Sequence, residues 1–363
     1  MVSLLCDFAS VMTSIGYIFI ALMLLMVMIT IHELGHYVFG KMLGFKINEF
    51  AIGFGKAIFK KTLKSGEIFS IRILPLGGYC AFAGEDQDDP DPNAFNNKKP
   101  WRRLIVQFGG VFFNFISAIL FSFILLVSFG YDIPRVQQVD DYCVEQAQIA
   151  GKDMVMVGDV IREVDGVAVD FCTGNTFTKL IDGYNIGDEF TLTVQRNVDG
   201  VIQSITLDVT KYADPDDATN QAGLLGIENY TAYQYTFIEA LLKCIPLTLA
   251  FAWQILVFLF NLFTGQLAFT DMGGPITTVA TIAEFSQMNI ANLFIFLPFI
   301  SVNLALFNLL PLPALDGSRM VFTTIEWIRG KPINRNVEGM IHLIGLFVLF
   351  GFVIFVDLFN IFS

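Results

Sequence analysis

The sequence predicts a polytopic α-helical membrane protein of about four transmembrane helices, carrying a small cytoplasmic β-sheet and one inserted extracytoplasmic soluble domain. Three observations predict it. The 363 residues are 54% hydrophobic and only 15% charged, with a mean hydropathy of +0.61, far from a soluble globular chain. Apolar runs of roughly 20 residues, the length a bilayer demands, recur near Val11–Ile31, Leu104–Phe129, Phe237–Phe263, Ile290–Leu310 and Ile341–Phe362. Between the second and third runs, residues 131–235 alternate apolar and polar positions between turn residues, the pattern of a soluble β-rich domain.

The first run has no Lys or Arg ahead of it and no small-residue cleavage site behind it, so it reads as a retained anchor and not as a secretory signal. Of the 22 Lys and Arg, 11 lie between Lys41 and Arg103, which places that stretch in the cytoplasm. The first helix then runs inward, the second outward, and the soluble domain is extracytoplasmic. Arg319, Arg329, Lys331 and Arg335 put the later loop back inside, which needs an odd number of crossings after the domain. Phe237–Phe263 is the run expected not to span, because Glu239 and Lys243 interrupt its start; it would lie at the interface or re-enter.

The chain divides accordingly into a first transmembrane helix (1–40), a cytoplasmic loop with a hairpin sheet (41–103), a second helix (104–130) and the extracytoplasmic domain (131–213). There follow a linker with the interfacial or re-entrant segment (214–288), a third helix (289–317), and a cytoplasmic loop with the fourth helix (318–363). In the cytoplasmic loop, strands are expected at Ala57–Thr62, Ile68–Leu74 and Tyr79–Phe82, with a turn at Gly77-Gly78. In the outer domain they are expected at Asp159–Val164, Glu189–Gln195 and Ile202–Val209, with turns at Asp165-Gly166 and Asp199-Gly200, and helices near Asp141–Ala150 and Thr176–Ile181. Gly158-Asp159-Val160-Ile161, Val164-Asp165-Gly166 and the run Gly187–Arg196 resemble a bacterial PDZ domain, a fold that takes peptide ends by adding a strand to a sheet edge.

The net charge of -12 has no basic face to set against it and argues against nucleic acid as a partner. The acidic run from Glu85 to Asp91 lacks calcium-loop spacing and reads as a solvated loop. Five cysteines without a C-x-x-C pair exclude a complete intrachain disulfide framework; only Cys143 with Cys172, in one soluble domain, could pair.

At the end of the first apolar run stands His32-Glu33-Leu34-Gly35-His36. Two histidines four apart share one helix face and grip one tetrahedral ion, with the intervening glutamate placed as general base. Ionisable groups at membrane depth are costly and mark function. The expected ion is Zn²⁺, which acidifies a water and polarises a carbonyl. Asp316 is the expected third ligand: an inward-running fourth run brings it to the level of His32 and His36, whereas His342, in the final helix, reads as a packing or interfacial residue. Asn308, Pro311 and Pro313 break the backbone just before Asp316, either simply to end a helix or to line a cleft that hydrogen-bonds an unwound substrate.

His32–His36, followed far downstream by Asn308-x-x-Pro311-x-Pro313-x-Leu315-Asp316-Gly317 with a PDZ-like stretch between, resembles the site-2 protease family, specifically its bacterial RseP-like branch. Gly53-Phe54-Gly55, Pro75-Leu76-Gly77-Gly78-Tyr79, Phe108-Gly109-Gly110 with Asn114-Phe115, and Gly274-Pro275 extend the likeness over nearly the whole chain. Lys56 stands where proline commonly follows Gly-Phe-Gly, and Gly109 and Val111 replace the usual Ala and Pro of an A-G-P motif. The resemblance implies metal ligands His32, His36 and Asp316, catalytic Glu33, and substrate contacts at Asn308, Pro311, Pro313 and Asn114. It also implies a multi-pass protein of the bacterial inner or cytoplasmic membrane, single-span membrane proteins as substrates (anti-sigma factors or signal-peptide remnants), an extended substrate on the cytoplasmic sheet, and peptide termini at the PDZ domain. A membrane-bound PDZ scaffold that binds without cutting is the competing class. A transporter is disfavoured, since there are no paired internal repeats or second intramembrane charge cluster.

Overall fold

The computed structural model describes residues 2–85, 87, 89–212, 227–266, 273–274, 276–279, 281–282 and 291–362. The chain forms two compact units, residues 1–121 with 251–363, and residues 122–250.

The first unit begins with α1 (Val2–Met42), a 41-residue helix. At 1.5 Å per residue it is about 60 Å long, twice the roughly 30 Å hydrocarbon core, and its window Gly16–Met42 is apolar enough to span. It stops at Gly44, which takes a left-handed φ of 71° while the Phe45 amide returns to the Gly40 carbonyl, the 6→1 bond of a Schellman close. The chain then pairs β1 (Ile47–Thr62) with β2 (Ile68–Phe82), Ile47 opposite Phe82 and Thr62 opposite Ile68, and both strands double back, since Ala51 faces Tyr79 on one side and Ser70 on the other. The reversal of β2 between its 68–72 and 78–82 pairings falls where the turn at Gly77-Gly78 is expected, and Gly78 also permits close approach, since a Cβ there would lie 2.7 Å from the Ala51 carbonyl oxygen on β1. β1 reverses around Gly53 and Gly55, both at positive φ, so that its 49–52 and 57–62 parts both pair with 68–72 of β2.

A two-stranded ribbon is marginal alone, so its anchorage matters. Lys41 and Tyr37 of α1 reach Glu67 at 2.6 and 3.1 Å, and Phe45, Ile47, Phe82, Phe95 and Val106 close a shared apolar cluster. Helix α2 (Pro100–Ser128) starts four residues before the apolar run because Pro100, with no amide hydrogen to lose and φ already helical, suits the first helical position.

Helices α1 and α2 meet backbone to backbone. A Cβ on Gly35 would stand 2.1 Å from the Gly109 carbonyl oxygen, and one on Gly109 would stand 2.7 Å from that of Gly35. Ala21, Met28, Ile282, Leu297 and Ile300 form the buried cluster that joins α1 to α6 (Ala291–Leu309). After α6 the backbone breaks for six residues, with Pro311, Pro313 and a left-handed Ala314 (φ 74°), before α7 (Asp316–Arg329) and α8 (Arg335–Phe362).

The second unit is a sheet of six strands: β3 (Pro134–Val139), β4 (Val160–Val164), β5 (Val167–Ala168), β6 (Glu189–Val198), β7 (Val201–Thr210) and β8 (Ile227–Ala232). Their order is β7-β6-β4-β3-β8, with β5 on β4, antiparallel throughout. Phe190, Leu192 and Val194 alternate inward from β6 onto Val136, Ile161 and Val209, the period-two burial a half-solvated sheet requires. Asp165-Gly166 and Asp199-Gly200 are the hairpin turns, all four at positive φ. Helices α3 (Asp141–Ala150), capped by Asp140, and α4 (Phe177–Ile181), capped by Thr176, lie where the sequence predicts them. From the sequence the domain ends at 213. The structure adds β8, drawn from the expected linker, because its five paired residues find their partner about 90 positions back on β3, which no local pattern announces. Cys143 and Cys172 are not joined in a disulfide.

Among the described residues, four helices are long and apolar enough to cross a membrane: Gly16–Met42, Pro100–Ser128, Phe237–Leu262 and Asn336–Phe359. Phe237–Leu262 therefore belongs to that set, whereas the fourth apolar run forms the shorter α6. The two charges expected to interrupt it do not. In α5 (Phe237–Phe263) Glu239 accepts from the Thr236 amide and hydroxyl, each at 2.9 Å, as a capping box, and Lys243 pairs with Asp170 at 2.9 Å.

Candidate metal centre

His32 and His36 lie one turn apart on α1, so their rings share a face and meet edge to face at 4.8 Å between centroids. The broken backbone after α6 delivers Asp316 to the same point as the first residue of α7. Its Oδ2 lies 2.8 Å from His32 Nε2 and 3.2 Å from His36 Nε2, and the two nitrogens are 3.2 Å apart. All three donor atoms fall within 4.8 Å of one another, the one such group of His, Cys, Asp or Glu among the described residues. Both histidines are buried, at 7 and 8% exposure.

The surroundings fit a bound dication. Two imidazole nitrogens and one carboxylate oxygen make a three-ligand set that leaves a fourth tetrahedral position open. Val106 O takes the His36 Nδ1 proton at 2.8 Å, which leaves Nε2 as a lone pair facing the cluster. Gly110 supplies the room: a Cβ there would stand 2.6 Å from His32 Cε1 and from His36 Nε2. Glu33 is held beside the cluster by the Cys80 amide of β2, which donates to its Oε2 at 3.0 Å. Burial and the neighbouring Glu33 carboxylate push the Cys80 thiol far above its ordinary range.

A cavity of about 440 Å³ opens on His32, Glu33, His36 and Asp316, and Asn308 lines it with Tyr79 and Cys80 of β2. Arg319 and Glu85, an ion pair, also line this cavity. The other residues expected at a substrate lie elsewhere. Pro311 is exposed outside the cavity lining, Pro313 packs against Gly345 of α8, and Asn114 is fully buried with its Nδ2 at 3.2 Å from His32 Nδ1. His342, read from the sequence as a packing residue, makes a specific polar contact instead. Its Nδ1 accepts from the Ala314 amide at 3.0 Å and clasps the loop that presents Asp316. A lone histidine in an apolar helix was the available signal, but its partner, a backbone amide in an irregular loop, is invisible in sequence.

Comparison with known proteins agrees with this geometry. The family model for peptidase family M50 matches residues 20–352. The chain belongs to the M50, or site-2 protease, family. M50 members are metalloendopeptidases, and several relatives carry that activity in their names. A Clostridium perfringens protein named as a zinc metalloprotease is 30% identical over 94% of this chain and 97% of its own length. Zinc metalloprotease RasP of Oceanobacillus iheyensis is 26% identical over 89% of this chain and 93% of its own. A chloroplastic protein of Arabidopsis thaliana named as a membrane metalloprotease is 29% identical over 92% and 76%.

Proposed function

We propose that this M50 protein is a zinc-dependent intramembrane endopeptidase that cuts the transmembrane segments of single-span membrane proteins. One observation carries the reading: His32, His36 and Asp316 converge on a point below which Glu33 faces a cavity, within a unit built from membrane-length helices. His32 Nε2, His36 Nε2 and an Asp316 oxygen would hold the ion. When bound, it supplies Lewis-acid polarisation of the scissile carbonyl and acidifies the attacking water.

The rest falls to the chain. Glu33, fixed through one oxygen by the Cys80 amide, takes the proton from the water at its other oxygen and returns it to the leaving amine. Asn308 offers its amide to the backbone of an unwound substrate, and the hairpin's open edge offers further main-chain bonds to an extended one. Pro311 and Pro313 keep the preceding loop from closing into helix, so that its backbone groups remain available at membrane depth. The six-stranded domain we read as PDZ-like and extracytoplasmic, taking peptide ends at a sheet edge, with the metal centre toward the cytoplasmic face of a bacterial inner or cytoplasmic membrane.

The test is a tagged single-span substrate reconstituted in liposomes with the purified protein. Product masses that map the cut inside the apolar segment, lost on chelation and regained with zinc, support the reading. Peptide binding without any cut would move it to a non-proteolytic PDZ scaffold.

A further inference from the structure

The two histidines are held differently. His36 faces a backbone carbonyl, which can only accept, so its Nδ1 carries the proton and its Nε2 is free for an ion. His32 faces the side-chain amide of Asn114, which can accept or donate depending on which end it presents. With Nδ2 placed 3.2 Å from His32 Nδ1, Nδ1 would be the acceptor and the ring proton would sit on Nε2, facing Asp316 Oδ2 at 2.8 Å. A proton on Nε2 leaves that nitrogen no lone pair for a metal. Meanwhile Asn114 Oδ1 is buried without a hydrogen-bond partner, on a residue that is 0% exposed.

Half a turn of the amide exchanges its oxygen and nitrogen. Oδ1 would then face Nδ1, the ring proton would move there, and Nε2 would be free. One end of the amide lacks a partner in either orientation, so the amide keeps one bond to His32; the bond that Nε2 gives up to Asp316 is the one the ion would replace. The main chain is also set for this contact: the Asn114 carbonyl accepts from Ser117 and Ser301 hydroxyls, each at 2.9 Å, which ties that turn of α2 to α6.

We propose that Asn114 is a positioning residue for His32, its Oδ1 accepting the Nδ1 proton in the metal-loaded protein and thereby fixing the tautomer whose Nε2 binds the ion. The assignment rests on the zinc site proposed above. It replaces the substrate contact expected from the sequence, because a fully buried amide off the cavity wall has no substrate to touch.

The test is zinc affinity, measured by competition with a chromophoric chelator at pH 8 on the full-length protein in detergent, for wild type, Asn114→Asp and Asn114→Leu. The aspartate keeps an acceptor and, ionised, loses the donor; the leucine has neither. Loss of a ligand-orienting acceptor costs about 10–100-fold in metal affinity, so Leu is expected to weaken zinc by that factor and Asp to stay within about threefold of wild type. Zinc binding by Leu at wild-type strength, or by Asp as weak as by Leu, would overturn the proposal. Should the Leu variant fail to melt cooperatively without metal, Asn114→Ala takes its place with the same two readings. A wild type that binds no zinc would instead overturn the metal site itself, and the same titration shows it.

Discussion

Gly35→Ala is the smallest change that tests whether the helix crossing sets the metal centre. The added carbon would stand 2.1 Å from the Gly109 carbonyl oxygen, 2.6 Å from its carbon and 2.9 Å from the Gly110 nitrogen, where ordinary contact begins at 3.4 Å. All three are backbone atoms, so no side chain can swing aside, and the shortfall of about 1.3 Å must be met by parting α1 from α2. The bond from His36 Nδ1 to Val106 O spans that crossing at 2.8 Å. Parting the helices by even about 1 Å takes it beyond hydrogen-bond range and moves both histidines against Asp316. Overpacking of this kind costs about 1–3 kcal/mol of stability, and a 1 Å misplacement of reacting groups costs on the order of 100-fold in rate. Melting in detergent, zinc content and cleavage rate read the three effects. Gly351→Ala in α8 is the control, since nothing lies within 4 Å of its added carbon. A Gly35→Ala protein that melts, binds zinc and cleaves like wild type would refute the reasoning.

His342→Ala leaves the Ala314 amide without its partner, an expected loss of about 1–3 kcal/mol that loosens the Asp316 loop; zinc titration should show weaker binding, and unchanged affinity would count against the clasp. Glu67→Gln removes the charge that Lys41 meets at 2.6 Å, and a melting curve should register about 1 kcal/mol or less for so exposed a lysine. Its carboxyl is held down to about 2, against burial, by the Lys41 ammonium and by hydroxyl and amide hydrogen bonds, so the contribution is present above the ordinary carboxylate range and fades only as pH falls toward 2. Asp132 behaves oppositely. Burial and the nearby Asp170 raise its carboxyl to about 6 against the pull of the Phe171 amide and Lys243, so the folded state holds more protons between about pH 4 and 6 and loses stability as pH rises through that window. Melting from pH 4 to 7 should therefore flatten in Asp132→Asn, and an unaltered slope would refute the assignment.

Much of this is legible in the sequence where local pattern carries it. The i, i+4 histidines, the DG hairpins, the capped helices of the sheet domain and the prolines before Asp316 are all short-range signals, and each falls where the pattern predicts. What the sequence hides depends on distant partners. Strand β8 pairs with β3 across about 90 residues. Lys243 reads as a break in an apolar run because Asp170, which pairs with it, declares itself only in the fold, whereas Thr236-x-x-Glu239 is a local capping pattern that the sequence does offer. Asn114 is recognisable as part of a motif, but only its burial and its histidine partner indicate what it faces.

The central claim is that Glu33 moves the proton while His32, His36 and Asp316 hold the zinc. It is tested most directly by cleavage of a tagged single-span substrate by purified wild type and Glu33→Gln, with bound zinc quantified on both. Cleavage by wild type alone, with one zinc in each protein, is the predicted result; full turnover by Glu33→Gln, or a wild type active without zinc, would contradict it.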